Sequence, residues 1–447
     1  MRYFIQTFGC QMNENDSALI ASLLQNVGYR ETNIIAEADI IVVNTCCVRQ
    51  TAENRALGFI GSIKKLKEEN PQLIIIVCGC MAQKDGTAEA LSQKARHVGI
   101  IIGTFAAAKL PEYIEAYRAS GHRIIDIAEN YENENLSHML APVAPLATPI
   151  AKANHKAQVN IIYGCNNFCS YCIVPYVRGR ERSRHAADIV AEVESLVQAG
   201  VREVQLLGQN VNSYGKDMTD GVGFGQLLQK LNRVEGLSRL RFMTSHPRDF
   251  TQPLVETIAG LDKVCHQFHL PIQSGCDRIL DLMNRGYDTA YYRRLINNIR
   301  QILPDAVITS DLLVGFPGET EEDFQQTLDF IEECRLDAAY TFLYSRRSGT
   351  PAADMPNQIT DEIKKQRLQK LMEIQNPISL AINQKMIGTN RLLLVDGVSK
   401  NNPNLLSGRD DGNKIVIFPG TAQNQSGDLL EVKITEAKTW NMYGELV

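Results

Sequence analysis

Short apolar runs rich in β-branched residues alternate with helical patterns along this chain, and that alternation restricts its fold more than any other feature of the sequence. In the first stretch the runs occupy residues 2–8, 39–45, 73–79 and 99–102. A regular alternation of strand and helix is typical of βαβ units, whose strands pair in parallel. Residues 1–127 are therefore predicted to form a parallel α/β domain.

The alternation restarts beyond a polar segment that is interrupted by prolines. Residues 128–156 contain Pro142, Pro145 and Pro149 and are predicted to form a linker. Beyond it, apolar runs occupy residues 158–163, 203–207, 239–244, 267–271, 306–314 and 337–344. Six strands separated by helices predict a partial TIM-type barrel, a (βα)6 unit, over residues 157–376.

The last part of the chain has a different pattern. A long charged helix is predicted from 361 to 386, and short apolar runs follow at 392–395, 405–406, 414–418 and 429–434. Several short strands without helices between them are typical of a small antiparallel β-barrel, which we assign to residues 377–447. The chain is thus predicted to be of the α/β class with three folded domains, in keeping with its 447 residues.

Charge, hydropathy and cysteine content limit the possible functions. The 46 Lys and Arg residues against 51 Asp and Glu residues give a net charge of −5, so a nucleic-acid partner has to bind a local basic patch. No apolar run approaches the ~18 residues of a spanning helix and the amino terminus lacks a secretory pattern, so we expect a cytoplasmic protein without membrane contact. Eleven cysteines in that reducing compartment indicate metal ligation or catalysis rather than disulfides.

Three of these cysteines form a C-x3-C-x2-C motif directly after the first predicted barrel strand. They are Cys165, Cys169 and Cys172, called here the barrel trio. Thiolates are the usual ligands of iron–sulfur clusters, and barrels of this kind carry reactive groups at the carboxyl ends of their strands. A structural zinc site needs a fourth ligand, and the next cysteine is the distant Cys265. The motif favours an open iron–sulfur site; buried apolar cysteines or a zinc knuckle completed by a remote residue are the alternatives.

Three predicted strands of the first domain also end on a cysteine. These are Cys10, Cys46 and Cys80, called here the amino-terminal trio. Because the carboxyl ends of parallel strands share one edge, where ligands bind, the three thiols are expected to converge. Cys47 and Cys78 leave the assignment open, since a shift of one residue in the strand pairing changes which thiol faces the site. Cysteine is also a common small core residue, so a purely structural role is the alternative.

Both trios stand within longer motifs, namely FGCQMN at residues 8–13, NTC at 44–46, GCMAQ at 79–83 and the C-x3-C-x2-C segment. Together these motifs resemble the methylthiotransferases of the radical S-adenosylmethionine superfamily over essentially the whole chain, and most closely the branch that acts on N6-isopentenyladenosine in tRNA. The resemblance implies that the amino-terminal trio holds an auxiliary 4Fe-4S cluster and the barrel trio a radical 4Fe-4S cluster. Cys47 and Cys78 depart from the family pattern and are expected not to be ligands, although ligand exchange stays open.

The resemblance also implies contacts to S-adenosylmethionine. Tyr171, the aromatic residue before the third barrel cysteine, is expected beside the adenine. The other expected contacts lie at later strand ends and are Gly208, Gln209, Asn210, Ser245 and Gln273. For residues 208–210 the alternative is a strand-to-helix turn built from its usual residues.

RNA contacts are predicted from a run of arginines directly after the barrel trio. The run consists of Arg178, Arg180, Arg182 and Arg184, whose guanidinium groups could meet phosphates near the reacting base. A solvated run of charges is the alternative. The terminal barrel resembles a TRAM domain, which binds RNA in related enzymes.

The family resemblance implies a reaction and its partners. One S-adenosylmethionine methylates a sulfur associated with the auxiliary cluster, and a second is cleaved to a radical that removes hydrogen from carbon 2 of the adenine. No acid–base side chain can abstract an unactivated C–H hydrogen, so no catalytic residue is expected beyond the cluster ligands. The implied partners are a tRNA anticodon stem-loop, an electron donor such as flavodoxin or ferredoxin, and a sulfur or cluster donor.

Two alternatives compete with this interpretation. The first is a sibling methylthiotransferase that acts on threonylcarbamoyl-adenosine in tRNA or on a ribosomal-protein aspartate; the motifs at residues 8–13 and 208–212 favour the isopentenyl substrate. The second is a non-catalytic electron carrier with two clusters. A carrier requires complete thiolate ligation, whereas each trio is one cysteine short of that.

Overall fold

The computed structural model describes residues 1–47, 50–127, 155–219, 221–421 and 423–447. The linker predicted at 128–156 lies outside the described residues except for its last two, of which Lys156 already begins a strand. No helix within the described ranges combines the length and the apolar character needed to cross a membrane.

The first domain is a parallel sheet with helices on both faces. Its strands are β1 (Arg2–Thr7), β2 (Arg30–Glu31), β3 (Ile40–Thr45), β4 (Ile74–Gly79), β5 (Ile100–Ile102) and β6 (Ile124–Asp126), and its helices are α1 (Gln11–Asn26), α2 (Gln50–Ser62), α3 (Lys64–Glu69), α4 (Cys80–Gln83), α5 (Thr87–Lys94) and α6 (Leu110–Ser120). The strand order is β2-β1-β3-β4-β5-β6, with every described pair parallel. The predicted parallel α/β domain is confirmed.

The central strands of this sheet explain its stability. Every residue of β3 and β4 is buried, because helices cover both faces. Alternate side chains enter two separate cores, with Val43 and Val77 on one face and Val42 and Ile76 on the other. The near-continuous Ile and Val composition of both strands follows from this double burial.

The second domain is a partial barrel. Its strands are β7 (Lys156–Asn160), β8 (Ile162–Tyr163), β9 (Arg182–Ser183), β10 (Glu203–Leu207), β11 (Arg239–Phe242), β12 (Gln267–His269), β13 (Val307–Val314) and β14 (Ala338–Leu343). The parallel sheets β7-β10-β11 and β12-β13-β14 are joined by a bridge between Leu240 and Val264, while β8 and β9 form a separate antiparallel pair. The partial TIM-type barrel predicted from the sequence is confirmed.

Helices surround this barrel and connect its strands. They are α7 (Val174–Arg178), α8 (Ala186–Gln198), α9 (Phe224–Asn232), α10 (Gln252–Ala259), α11 (Asp277–Leu282), α12 (Thr289–Ile302), α13 (Glu321–Cys334) and α14 (Pro351–Asp354). Helix α13 begins at a capping box in which Thr320 and Asp323 satisfy each other's backbone N–H groups.

A long helix leads into the terminal barrel. Helix α15 (Asp361–Gln384) contains Pro377, so the domain boundary predicted between residues 376 and 377 falls inside this helix. The strands β15 (Asn390–Ser399), β16 (Asn402–Arg409), β17 (Ile415–Phe418), β18 (Leu429–Ala437) and β19 (Met442–Leu446) close into a small barrel in the order β15-β16-β17-β19-β18. The expected antiparallel barrel includes a parallel pair, β17 with β19, because β19 enters between β17 and β18.

The terminal barrel packs against the end of the second domain where the barrel strands begin. Arg241 donates to the carbonyl oxygens of Asp410 (2.7 Å) and Asp411 (2.6 Å), and the side chain of Asp411 accepts from the backbone N–H of His266. A Cβ at Gly412 would lie 2.4 Å from Val307, so glycine alone permits this approach. The loop at residues 410–412 therefore fills the amino-terminal end of the barrel, opposite to the barrel trio.

Candidate functional site

The amino-terminal trio lies where β1, β3 and β4 end. The strand register aligns Thr7 with Asn44 and Asn44 with Cys78. Cys46 and Cys80 follow that row at the same spacing, and Cys10 follows the end of β1. The thiol of Cys10 interacts with that of Cys46, and its charge also acts on Cys80. The structure thus brings the three predicted thiols together at one edge of the sheet.

The two extra cysteines of this domain occupy different environments. Cys78 packs into the core on one face of the sheet, and burial raises the pKa of its thiol. Cys47 lies on the other face, where it shares a hydrogen bond with Cys80. This hydrogen bond and burial raise the pKa of Cys47, and the same hydrogen bond lowers the pKa of Cys80. Cys47 is therefore the extra thiol that touches the trio, whereas Cys78 is a core side chain.

Electrostatics favour thiolates at this edge. The interaction with Cys46 lowers the pKa of Cys10 to about 6, against the opposing effect of burial, and the positive charge of Arg178 adds to the lowering. That charge also lowers the pKa of Cys80. Since the thiolate is the form that binds metal, the environment of the trio suits cluster ligation.

Tight backbone geometry supports the thiols. Gly79 has φ +95°, and a Cβ there would lie 2.4 Å from the carbonyl oxygen of Thr45. Behind the thiols, Asn13 donates to the side chain of Asn44 (3.1 Å) and to the carbonyl of Thr45 (3.0 Å). This buried polar network fixes the strand ends from which the cysteines project.

The barrel trio lies in the loop that follows β8. Gly164 has φ +75° and Phe168 has φ +46°, so the loop is sharply folded. Burial raises the pKa of Cys165 to about 11 and that of Cys172 to about 12. The loop is held by Ser170, whose backbone N–H donates to Met283 at 3.0 Å. Burial thus favours the protonated form of these two thiols, and ligation of a metal would release their protons.

Each trio has one thiol that accepts a hydrogen bond from a buried arginine. Arg178 Nε donates to Cys80 Sγ and Arg285 Nη1 donates to Cys169 Sγ, both at 3.2 Å. Arg285 also approaches the hydroxyl of Tyr171 at 3.4 Å. The sequence analysis did not identify Arg285, because no spacing or motif distinguishes it from the other arginines of the chain.

The structure corrects the predicted phosphate contacts for half of the arginine run. Arg178 is buried and bonded to Asp16 at 2.8 Å, and Arg184 is buried and paired with Glu192 at 2.6 Å. Both guanidinium groups are thus enclosed by protein and cannot face phosphates. Arg180 is exposed and lies over the ring of Phe168, while Arg182 is partly exposed and lies over Phe105.

The residues predicted to contact S-adenosylmethionine surround the carboxyl ends of the barrel strands. Gly208 has no space for a side chain, since a Cβ would lie 2.4 Å from Ile162 Cγ2. Gln209 is partly exposed, whereas the buried Asn210 donates to Asp249 (2.7 Å) and accepts from the backbone N–H of His246 (3.0 Å). Both polar ends of the Asn210 side chain therefore already have protein partners, which makes it a clamp between two loops.

Two further predicted residues combine burial with strain. Gln273 is buried and has φ +77°, and the residue before Ser245, Thr244, has φ +69°. Non-glycine residues with such angles cost of order 1–3 kcal/mol and cluster at functional sites. Tyr171 is half-buried against the small core formed around Phe316 and Tyr344.

Buried polar atoms without partners mark where a ligand fits. In the part of the chain that the structure describes, Ser245 Oγ, both amide atoms of Asn212 and both ring nitrogens of His246 lack hydrogen-bond partners. Burial, together with the charge of Arg285, holds the pKa of His246 well below its usual value. Because unsatisfied buried polar groups are costly, this cluster suits a polar ligand such as an amino acid or ribose group. The sequence analysis did not single out Asn212 or His246.

The donor sets also fit iron–sulfur clusters. No group of three or more possible ligands among the described residues converges as closely as a single metal ion requires. A cluster of several irons holds its thiolates farther apart, and its negative charge suits a thiol group flanked by a buried arginine. The residues present are therefore compatible with one cluster at each trio.

Comparison with known proteins agrees with this division of the chain. Residues 2–103 match the "Uncharacterized protein family UPF0004", residues 159–331 match the "Radical SAM superfamily" and residues 384–447 match the "TRAM domain". A solved radical S-adenosylmethionine methyltransferase, TsrM from Kitasatospora setae, has a similar fold, with a TM-score of 0.55 and 14% identity over 89% of this chain and 79% of that one. At that identity the likeness concerns the fold alone.

Full-length relatives are much more similar. A tRNA-2-methylthio-N(6)-dimethylallyladenosine synthase from Moorella thermoacetica is 50% identical over 99% of this chain and 98% of its own length. One of the same description from Thermoanaerobacter pseudethanolicus is 48% identical over 100% of this chain and 92% of its own. The chain therefore belongs to the family of tRNA-2-methylthio-N(6)-dimethylallyladenosine synthases within the radical S-adenosylmethionine superfamily.

Proposed function

We propose that this chain catalyses methylthiolation of carbon 2 of N6-isopentenyladenosine next to the tRNA anticodon. The observation that carries the proposal is the presence of two separate cysteine trios, each with a buried arginine at one thiol. Helix α7 follows the barrel trio directly and ends beside the amino-terminal trio. Two trios in this arrangement suit a reaction that needs a sulfur source and a radical source at one base.

The ligand assignment is the one that the family resemblance implies, and the convergence of the amino-terminal thiols supports it. Cys10, Cys46 and Cys80 hold one 4Fe-4S cluster, and Cys165, Cys169 and Cys172 hold the other. When bound, these clusters and S-adenosylmethionine supply the electron, the hydrogen-abstracting radical and the methylthio group.

The side chains around the barrel mouth bind and orient the cofactor. Tyr171 contacts the adenine, and the unpartnered polar atoms of Ser245, Asn212 and His246 bind polar groups of S-adenosylmethionine or the substrate. The same strand ends are lined by Gly208, Gln209 and Gln273. Asn210 holds the neighbouring loops together through its bonds to Asp249 and His246. The burial of Gly208, Asn210 and Gln273 excludes water from the reacting groups.

RNA is held by surfaces outside this pocket. Arg180 and Arg182 contact phosphates near the reacting base, and the TRAM-type terminal barrel contacts another part of the tRNA. The target base has to leave the anticodon-loop stack, which costs a few kcal/mol at most in a single-stranded loop. The reaction takes place in the cytoplasm with a flavodoxin- or ferredoxin-type electron donor and a separate sulfur or cluster donor.

The first test is anaerobic reconstitution followed by iron counting and nucleoside mass spectrometry on isopentenylated tRNA. We expect about eight irons per chain and a 2-methylthio product. The triple variant Cys10→Ala, Cys46→Ala, Cys80→Ala is expected to keep about four irons and to lose the product.

Each departure from this result identifies a different error. Two clusters and cleavage of S-adenosylmethionine with unmodified tRNA would transfer the proposal to the sibling substrates, threonylcarbamoyl-adenosine or a ribosomal-protein aspartate. Two clusters without any cleavage would indicate an electron carrier. A single cluster in the unmodified chain would contradict the ligand role of the amino-terminal trio.

A further inference from the structure

Arg178 is a residue of the second domain whose side chain lies in the first. It ends helix α7, which begins just after the barrel trio. Its Nε donates to Cys80 Sγ at 3.2 Å and its Nη2 donates to Asp16 Oδ2 at 2.8 Å. Only 6% of the residue is exposed, so solvent does not compete for these bonds.

The charge of Arg178 is directed at the amino-terminal trio. A buried guanidinium is costly unless anions surround it. Asp16 provides one negative charge, and the thiols of Cys80 and Cys10 also act favourably on the positive charge of Arg178. Asp16 occupies the Nη2 side of the guanidinium group, and the Nε side is directed at the Cys80 sulfur.

Helix α7 holds Arg178 rigidly between the two trios. Ile173 and Val177 are buried in the core of the first domain, against residues that include Val77 and Met81. In addition, Thr104 of the first domain donates to the carbonyl of Val177 at 2.6 Å. The short segment from Cys172 to Arg178 is therefore a fixed connection from a barrel-trio thiol to an amino-terminal-trio thiol.

We propose that Arg178 is a positioning residue for the auxiliary cluster: it fixes the Cys80 edge of the first domain relative to the barrel trio and raises the reduction potential of the cluster that Cys80 helps to hold. This inference rests on the proposed function, because it requires a cluster at the amino-terminal trio. One-electron reduction adds a negative charge to the cluster, and a guanidinium hydrogen-bonded to a ligand sulfur stabilises that charge. Hydrogen bonds to sulfur and net charge are established determinants of iron–sulfur potentials.

The test isolates each cluster in the full-length chain. In the background Cys165→Ala, Cys169→Ala, Cys172→Ala only the auxiliary cluster is present, and its midpoint potential is measured by dithionite titration with EPR detection. Arg178→Gln is expected to lower the midpoint potential of this cluster by about 59 mV. For a one-electron couple this means that, at a fixed applied potential, the ratio of reduced to oxidised cluster falls about tenfold. Arg178→Lys keeps the positive charge and is expected to lie closer to the unmodified chain.

Two controls separate a local effect from a general one. In the background Cys10→Ala, Cys46→Ala, Cys80→Ala, Arg178→Gln is expected to leave the potential of the barrel cluster unchanged. Arg118→Gln makes the same change of charge on the exposed end of α6, where Arg118 pairs with Glu115 in its own helix, and is expected to leave the auxiliary potential unchanged.

The outcomes distinguish this inference from the proposed function. If the barrel-trio triple variant contains no iron, the ligand assignment fails and the inference fails with it. If the auxiliary cluster is present and Arg178→Gln does not shift its potential, or shifts both clusters equally, the inference alone is overturned. If Arg178→Gln loses the auxiliary iron, recovery of about four irons in Arg178→Lys supports a charge-dependent role, and loss in both variants contradicts it.

Discussion

Several residues at the carboxyl ends of strands have a positive φ, among them Gly79, Thr244 and Gln273. Gly79, directly before Cys80, has φ +95° and ψ −166°, a conformation open essentially to glycine alone. The carbonyl oxygen of Thr45 and the side chain of Asn44 leave no room for a Cβ there. The direction in which the Cys80 thiol points therefore depends on having glycine, which has no side chain, at position 79.

Replacing this glycine gives a prediction at the residue scale. Gly79→Ala is expected to lower the free energy of unfolding of the first domain by about 1–3 kcal/mol, because it adds backbone strain and a clash at 2.4 Å. Urea unfolding of the metal-free protein measures the change. Gly86→Ala is the matched control: Gly86 has φ +70° but no atom within 4 Å of its would-be Cβ, so it should lose only about 1 kcal/mol. Equal losses would show that the contact with Thr45 is unimportant.

The residues of the site could be predicted from the sequence only where they belong to a regular pattern. Cys46 and Cys80 end neighbouring parallel strands, and the general rule that such ends share an edge was sufficient to group them. Arg178 was predicted to contact RNA phosphates because the sequence of an arginine run does not show whether another domain buries its side chains. Ile173 and Val177 are spaced one helical turn apart, and this apolar spacing is the feature of the sequence that indicates a buried face of α7. Arg285 and Asp16 carry no such signal.

Helices and strands were predictable to the extent that their apolar pattern reports burial. The central strands β3 and β4 are buried throughout and were found from composition alone. The two-residue β2 is exposed, and β6 is short and partly exposed, so neither has an apolar pattern to detect. The parallel pairing of β17 with β19 depends on which strands meet when the terminal barrel closes, and local sequence does not encode that choice.

Helix α7 gives the prediction at the element scale. Val177 is almost completely buried in the core of the first domain, so Val177→Ala is expected to weaken the attachment of α7 to that domain by about 2 kcal/mol. Denaturant unfolding of the metal-free chain measures the loss, and hydrogen exchange in α4 should increase. Val398→Ala, at a valine that is 62% exposed, is expected to change neither quantity. An unaltered exchange rate in α4 for Val177→Ala would contradict the docking role of α7.

At the scale of the whole molecule, hydrogen bonds and an ion pair join the terminal barrel to the strand starts of the second domain. Arg241 is buried against Glu203 at 3.0 Å while it donates to two carbonyl groups of the loop at residues 410–412. Arg239 donates to the carbonyl oxygens of Arg409 and Leu392, both at 2.7 Å. Lys156, at the start of β7, pairs with Asp396 at 2.6 Å. The contact thus uses the starts of several strands at once.

Removing the central arginine tests this contact. Arg241→Met is expected to destabilise the chain by about 3 kcal/mol, because it leaves the buried Glu203 with Lys156 alone, at 3.3 Å, and removes a donor from the carbonyls of Asp410 and Asp411. Urea unfolding and limited proteolysis between α15 and β15 measure the effect. Arg118→Met breaks an exposed pair and should leave the unfolding midpoint almost unchanged. If both variants unfold alike, the bonds from Arg241 to the carbonyls of Asp410 and Asp411 do not hold the two domains together.

The terminal barrel lies where the strands of the second domain begin, and this placement limits how a tRNA could reach the cysteines. The cysteines lie at one end of the barrel strands and the terminal barrel at the other, and a five-residue strand such as β10 is roughly 17 Å long. On the proposed function, an RNA that reaches both ends has to run along the outer wall of the second domain. The length of the anticodon stem would then determine whether the base reaches the thiols while the terminal barrel stays bound to the RNA.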